Sequence, residues 1–245
     1  MTGIKLEVCV DDAAGLAAAI DGGADRIELC SALALGGLTP SAGLMALAGP
    51  PPVPVYAMIR PRPGDFVYGA ADLDVMRRDI DQAREVGLAG VVLGASLADG
   101  RLDARMLTKL AGHAAGLGLT LHRAFDLTPD FAEAISLAVD LGFERILTSG
   151  GARSAPEAVE TLAGLVELAA GRISIMPGSG ITVDTIGLLL PRLAVTEVHS
   201  SCSLSESTRD RRLIDMGFAA EGRRRTDAAA VKALKARLEA LQASS

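Results

Sequence analysis

The chain has 245 residues, 49% of them apolar, with 24 Lys and Arg against 30 Asp and Glu, a formal net charge of −6 and no tryptophan. That balance offers neither the basic surface nor the stacking platform of a nucleic-acid binder, and no apolar run approaches the roughly 18 residues of a bilayer span, so neither nucleic acid nor membrane is an expected partner. One domain over 1–245 is expected, because an eight-fold β/α barrel typically takes about 250 residues.

Residues Met1 to Lys5 run straight into a strand-like stretch, without the basic and apolar regions of a secretory signal. Cys9, Cys30 and Cys202 are an odd number of thiols, two of them inside apolar runs, which suits a reducing compartment. A cytoplasmic protein with free cysteines is therefore expected. Strand-like runs follow at 4–10, 26–30, 53–59, 90–94, 119–123, 145–148, 172–176 and 195–199, each succeeded by a helical pattern. The clearest helical patterns are 73–86, 104–115, 131–141 and 155–169, with aliphatic residues three and four apart. Thr39 before Pro40, Thr128 before Pro129, and Asp227 read as helix starts, and Gly22, Gly87, Gly116, Gly142 and Gly171 as helix ends. Eight βα units predict an α/β protein, a single (β/α)8 TIM barrel. An open doubly wound sheet would carry a glycine-rich turn after its first strand, where this chain has Val10-Asp11-Asp12. The stretch 203–226 reads as an irregular polar segment suited to contact another subunit in a homo-oligomer, and 227–243 as a final helix.

Alternation along the strands sends Ile4, Leu6, Val8 and Val10 toward the helices and Lys5, Glu7 and Cys9 into the barrel. The second strand repeats this with Arg26, Glu28 and Cys30 inward. Barrel centres normally hold branched aliphatics, and a buried carboxylate is costly unless paired, so Glu7 and Glu28 demand partners. Arg60, His122, Arg123 and His199 are available at strand ends, the rim where barrel active sites sit. After the seventh strand, Gly178-Ser179-Gly180-Ile181 leads to Thr182 as an expected helix start able to cradle an anion, facing His199 and Ser200 after the eighth. The loop 60–68 is long enough to be a binding segment or lid, while Arg223, Arg224 and Arg225 read as a solvated face. Lys5, Lys109, Lys232 and Lys235 all lie away from strand carboxyl ends, which argues against Schiff-base chemistry.

These residues resemble the CutC family of copper homeostasis proteins, which are (β/α)8 barrels. The resemblance is carried by Leu6-Glu7-Val8-Cys9, Asp25-Arg26-Ile27-Glu28-Leu29-Cys30, Gly36-Gly37-Leu38-Thr39-Pro40, Met58-Ile59-Arg60-Pro61-Arg62, Gly64-Asp65-Phe66-Val67-Tyr68, His122-Arg123-Ala124-Phe125-Asp126, Leu147-Thr148-Ser149-Gly150 and Met176-Pro177-Gly178. Ala42, Pro63 and Ser179 depart from the family pattern. The resemblance implies a cytoplasmic protein that binds Cu(I) through Cys9 and Cys30, and soft thiolates do select that ion, with Met58 and Met176 as additional thioethers. The competing expectation is an enzyme of lyase or isomerase type for a small anionic or phosphorylated metabolite. In it Glu7 or Glu28 is the general base, His122 the acid, and Arg60 and Arg123 hold anionic oxygens. Arg62, Asp126, Ser149, Gly178, Gly180, His199 and Ser200 would complete the substrate site. No organic cofactor is expected.

Overall fold

A computed structural model describes residues 3–49 and 52–243; Met1 and Thr2, part of the stretch read for a missing signal, lie outside the described residues. Strand β1 (Lys5–Val10) leads to α1 (Ala13–Asp21), β2 (Arg26–Leu29) to α2 (Ala42–Ala48), β3 (Val55–Met58) to α3 (Ala70–Glu85), and β4 (Gly90–Leu93) to α4 (Ala104–His113). The second half repeats the unit with β5 (Gly118–Leu121), α5 (Phe131–Asp140), β6 (Arg145–Thr148), α6 (Val159–Ala169), β7 (Ser174–Pro177), a short α7 (Ile186–Leu189) and β8 (Glu197–Ser200). Parallel ladders run in the order β7-β6-β5-β4-β3-β2-β1-β8, so the eight strands form a nearly closed (β/α)8 barrel whose β7–β8 junction carries no paired ladder. None of the described helices is long and apolar enough to cross a membrane.

The main hydrophobic layer lies between strands and helices. Leu6, Val8, Val10, Ile27 and Leu29 are fully buried there, and elsewhere in the same layer α3, packed beside β4, contributes Leu73, Met76, Ile80 and Ala83 at helical spacing. Inside the barrel the filling is ionic. Arg26 donates to Glu7 and, at 2.6 Å, to Glu197, while Arg145 reaches Glu197 at 3.2 Å and Glu144 at 2.9 Å. Both guanidinium groups lie over the Tyr56 ring, 5.6 and 4.9 Å from its centroid, and the Tyr56 hydroxyl donates to Glu144 at 2.8 Å. Two strand glycines make room for that ring. A Cβ at Gly90 would lie 2.3 Å from the Tyr56 ring, and one at Gly118 would lie 2.2 Å from its hydroxyl.

Several element ends differ from expectation. The fifth strand stops at Leu121, because His122 accepts the Ala124 N–H at Nδ1 and starts a 3-10 turn, Arg123–Leu127. The seventh strand begins at Ser174, and the helix expected at 155 begins as a 3-10 turn before α6. Ser41 and Asp130, rather than Thr39 and Thr128, cap α2 and α5, since the side chain two residues on reaches the free backbone N–H groups. Gly22 ends α1 in a right-handed conformation, and it is needed for contact: a Cβ there would lie 2.5 Å from Val231. The segment 203–226 is ordered, as β9 (Ser203–Ser207), α8 (Arg211–Asp215) and β10 (Gly222–Thr226), with β9 and β10 paired antiparallel. The final helix, α9 (Ala228–Ala243), starts where expected, with Asp227 accepting the Ala230 N–H.

Candidate active site

A cavity of about 450 Å³ opens at the carboxyl ends of the strands. Of the residues expected to act together, Cys9, Glu28, Arg60, His122, Arg123, Gly180, His199 and Ser200 line it. Parallel register explains the first layer: Cys9 stands opposite Glu28 across β1–β2, and Glu7 opposite His199 across β1–β8. His199 donates from Nδ1 to Glu7 Oε1 at 2.8 Å, and its Nε2 lies 3.8 Å from Glu28 Oε2. Burial alone would raise the Glu7 carboxyl, but the charge of Arg26 and the hydrogen bond from His199 win and hold it well below the usual carboxylate range. Burial also opposes a charge on His199. Cys9, Glu28 and the hydrogen bonds to Cys9 and Glu7 outweigh that and hold the ring protonated well above its ordinary value. Glu28 moves the other way, raised by burial with a contribution from the Glu7 charge.

His122 sits at the opposite wall. Its Nδ1 is occupied as an acceptor, which places the proton on Nε2, and burial followed by the charge of Arg60 lowers its pKa to about 3. The ring is therefore a neutral hydrogen-bond donor near pH 7, not the protonated acid expected from sequence. Gly94 was missed: a Cβ there would lie 2.5 Å from the His122 ring. Phe66 lies between His122, at 4.8 Å, and the Arg60 guanidinium, at 5.0 Å. Arg60 spends its terminal nitrogens on the carbonyls of Leu35, Gly37 and Gly64, so it also clamps two loops. Six buried side-chain polar atoms among the described residues have no protein partner, and three of them are on side chains that line this one cavity: Glu28 Oε1, Arg60 Nε and His122 Nε2. Buried polar groups are rarely left unpaired, so the cluster points to a ligand that completes them.

Glu7, Cys30, Arg62, Asp126, Ser149 and Gly178 lie outside the cavity lining. Glu7 is fully buried beneath it and acts on His199, so it holds a partner rather than meeting a ligand. Asp126 and Ser149 support Arg123: its Nε donates to Asp126 at 2.7 Å and its Nη2 to Ser149 at 2.6 Å. Arg62 ties its own loop, paired with Asp65 at 2.9 Å and donating to the Val67 carbonyl. Gly178 is small because a Cβ would lie 2.4 Å from Leu147, and Ser200 uses its hydroxyl on the Ile181 carbonyl and the Cys202 N–H. Thr182 starts no helix; it closes a turn with Thr185, and α7 begins only at Ile186. Cys30 is fully buried, with Gly37 against its sulfur, and donates to Glu28 at 3.5 Å. Burial and the neighbouring Glu28 push its thiol well up. The protein atoms closest to a metal-ligand set are instead those of Cys9, Glu28 and His199, which lie within 4.8 Å of one another.

Comparison with known proteins agrees with this architecture. The CutC family model matches residues 4–204. A CutC family protein of Rhizobium meliloti is 78% identical over 240 residues, which is 98% of each chain. The crystal structure of CutC from Streptococcus agalactiae, named for copper homeostasis, superimposes with a TM-score of 0.77 at 34% identity, covering 81% of this chain and 98% of that one. A thiamine phosphate pyrophosphorylase from Pyrococcus furiosus, at 17% identity and a TM-score of 0.58, shares the fold.

Proposed function

This chain belongs to the CutC family, and from that premise we propose that it is an enzyme which moves a proton on a small oxygenated anion bound at the barrel rim. The observation that carries this reading is the set of three unpartnered buried groups in one cavity: one carboxyl and two N–H donors. A substrate oxygen accepts from His122 Nε2–H, with the fixed charge of Arg60 beside it favouring the oxyanion that forms as an adjacent C–H bond breaks. Glu28, as carboxylate, takes that proton and, as carboxylic acid, returns it to carbon; a carboxyl raised by burial is the stronger base when ionised. Glu7 fixes the His199 ring next to Glu28, and His199 gives the ionised form of Glu28 a nearby positive charge. The test is exchange of C–H for C–D in D₂O, followed by proton NMR across a panel of small oxo- and hydroxy-acids and their phosphate esters. Wild type should label at least one that Glu28→Gln binds but does not label. No labelling across the panel, or equal labelling by both proteins, overturns the reading.

A second reading is Cu(I) as cargo, supported by the name of the Streptococcus agalactiae relative and by the grouping of Cys9, Glu28 and His199. Thiolate and imidazole suit the ion and a carboxylate does not, so Cys9 would be the main donor, and His199 would join it where the metal displaces the proton that the ring holds on Nε2. Cys30 joins them only where the metal displaces its firmly held proton. Anaerobic Cu(I) titration against a competing chelator separates the cases: Cys9→Ser should weaken binding far more than Cys30→Ser, and unchanged affinity in the double variant removes copper from this site. Three buried free thiols support a reducing, cytoplasmic setting. Exposed Leu213, Met216 and Phe218 on the 203–226 excursion support self-association, and Met216→Glu with Phe218→Glu should then lower the mass measured in solution.

A further inference from the structure

We propose that Arg224 and Ser201 form a subsite for the phosphate end of the ligand, placed at the rim by the β9–β10 ribbon. The inference rests on reading the rim cavity as a ligand site and adds the chemical class of what enters it. Sequence alone makes Arg223, Arg224 and Arg225 a solvated cluster, but strand alternation separates them. Arg223 pairs with Glu206 at 3.0 Å, whereas Arg224 lines the main cavity. Among the described residues no carboxylate pairs with Arg224, although the cavity-lining Arg123 has Asp126.

Arg224 is nonetheless held in place. Its Nε donates to Ser203 Oγ at 2.9 Å and its Nη2 to the Ser203 carbonyl at 2.7 Å. Guanidinium nitrogens only donate, so Ser203 Oγ accepts there and is free to direct its own proton to Ser201 Oγ, 2.7 Å away. That leaves the Ser201 proton for a ligand, at the end of a hydrogen-bond chain polarised by a cation. Ser201 and Arg224 both line the rim cavity and also a second cavity of about 260 Å³ between the ribbon, the loop after β7 and α9. They stand where the two spaces meet. The Nε–Nη2 edge, which would grip a planar carboxylate side-on, is already taken by Ser203. What remains is the end-on edge, two N–H groups on Nη1 and one on Nη2, with a hydroxyl from another loop, a spread of donors that matches the several acceptor oxygens of a tetrahedral phosphate. Arg224 lies beyond residues 4–204, the span matched by the family model, while Ser201 lies inside it. The ribbon therefore adds a charged contact to a rim that the matched span builds.

The test measures binding of glycerol 3-phosphate and of inorganic phosphate to the full chain, by titration calorimetry and thermal shift at fixed ionic strength. Glycerol 3-phosphate should bind saturably and stabilise wild type, and Arg224→Ala should lose about tenfold or more in affinity. Arg224→Lys should fall between the two, and Arg223→Ala and Arg225→Ala should match wild type. The readout is binding alone, so the subsite fails on the arginine series while the proton-transfer reading fails on deuterium exchange, and the two failures are distinguishable. Affinity within about twofold of wild type in Arg224→Ala, an equal loss in Arg223→Ala, or phosphate binding that Arg224→Ala leaves unchanged would each overturn the assignment.

Discussion

Replacing Arg26 by Met tests whether the ionic filling of the barrel holds the fold and the site together. The guanidinium of Arg26 bridges Glu7 and Glu197, whose side chains are 0% and 7% exposed. Without it, Glu7 retains His199 and Glu197 retains Arg145, but one positive charge has left a region that water does not reach. Removing one member of a buried ion pair costs about 3–5 kcal/mol, against about 0–1 kcal/mol for an exposed pair such as Arg192 with Glu160. For a chain of this size each kcal/mol shifts the melting temperature by roughly 2–4 °C, so Arg26→Met should melt roughly 6–20 °C lower. The loss should shrink toward pH 5, where a carboxylate deprived of its cation takes up a proton in the folded state. Adding Glu7→Gln to Arg26→Met should recover part of the stability, because the uncompensated charge goes with it. Urea unfolding of wild type, both single variants and the double variant, at pH 7.5 and pH 5, measures all of this. A loss below about 1 kcal/mol, no greater than that of Arg192→Met, would refute the reasoning.

Three further outcomes are expected. His122 titrates near 3 when folded and at about 6.5 when unfolded, so its share of stability is complete above pH 6.5 and is lost as pH falls toward 3. Between pH 7.5 and 5.5 wild type should lose about 1 kcal/mol more than His122→Gln in urea unfolding; equal losses would remove His122 as the cause. Gly118→Ala drives a Cβ into the Tyr56 hydroxyl and should destabilise by about 1–3 kcal/mol, with partial recovery when Tyr56→Leu is added; a neutral single variant would show that the ring can move aside. Iodoacetamide on the native protein, followed by peptide mass mapping, should modify Cys9, which lines the cavity, before the fully buried Cys30, and the reverse order would contradict the position of Cys30 beneath Gly37.

What the sequence by itself determined is the local part. Side chains alternate across any strand, so Glu7, Cys9, Arg26 and Glu28 had to share the barrel face once Leu6, Val8, Ile27 and Leu29 turned to the helices. Eight alternations of strand and helix, together with the motif blocks, likewise carried the fold and the family. The tertiary structure decided depth and company. Barrel stagger sets Glu7 opposite both Arg26 and His199, one layer below Cys9 and Glu28, and no local pattern encodes that shear. It therefore decided that Glu7 positions His199, that Cys30 lies sealed off, and that a neutral His122 faces the cavity with Glu28. Arg224 was beyond sequence reasoning for the same reason: β9 and β10 pair across a long excursion, and only that non-local register turns the middle arginine of three toward the rim.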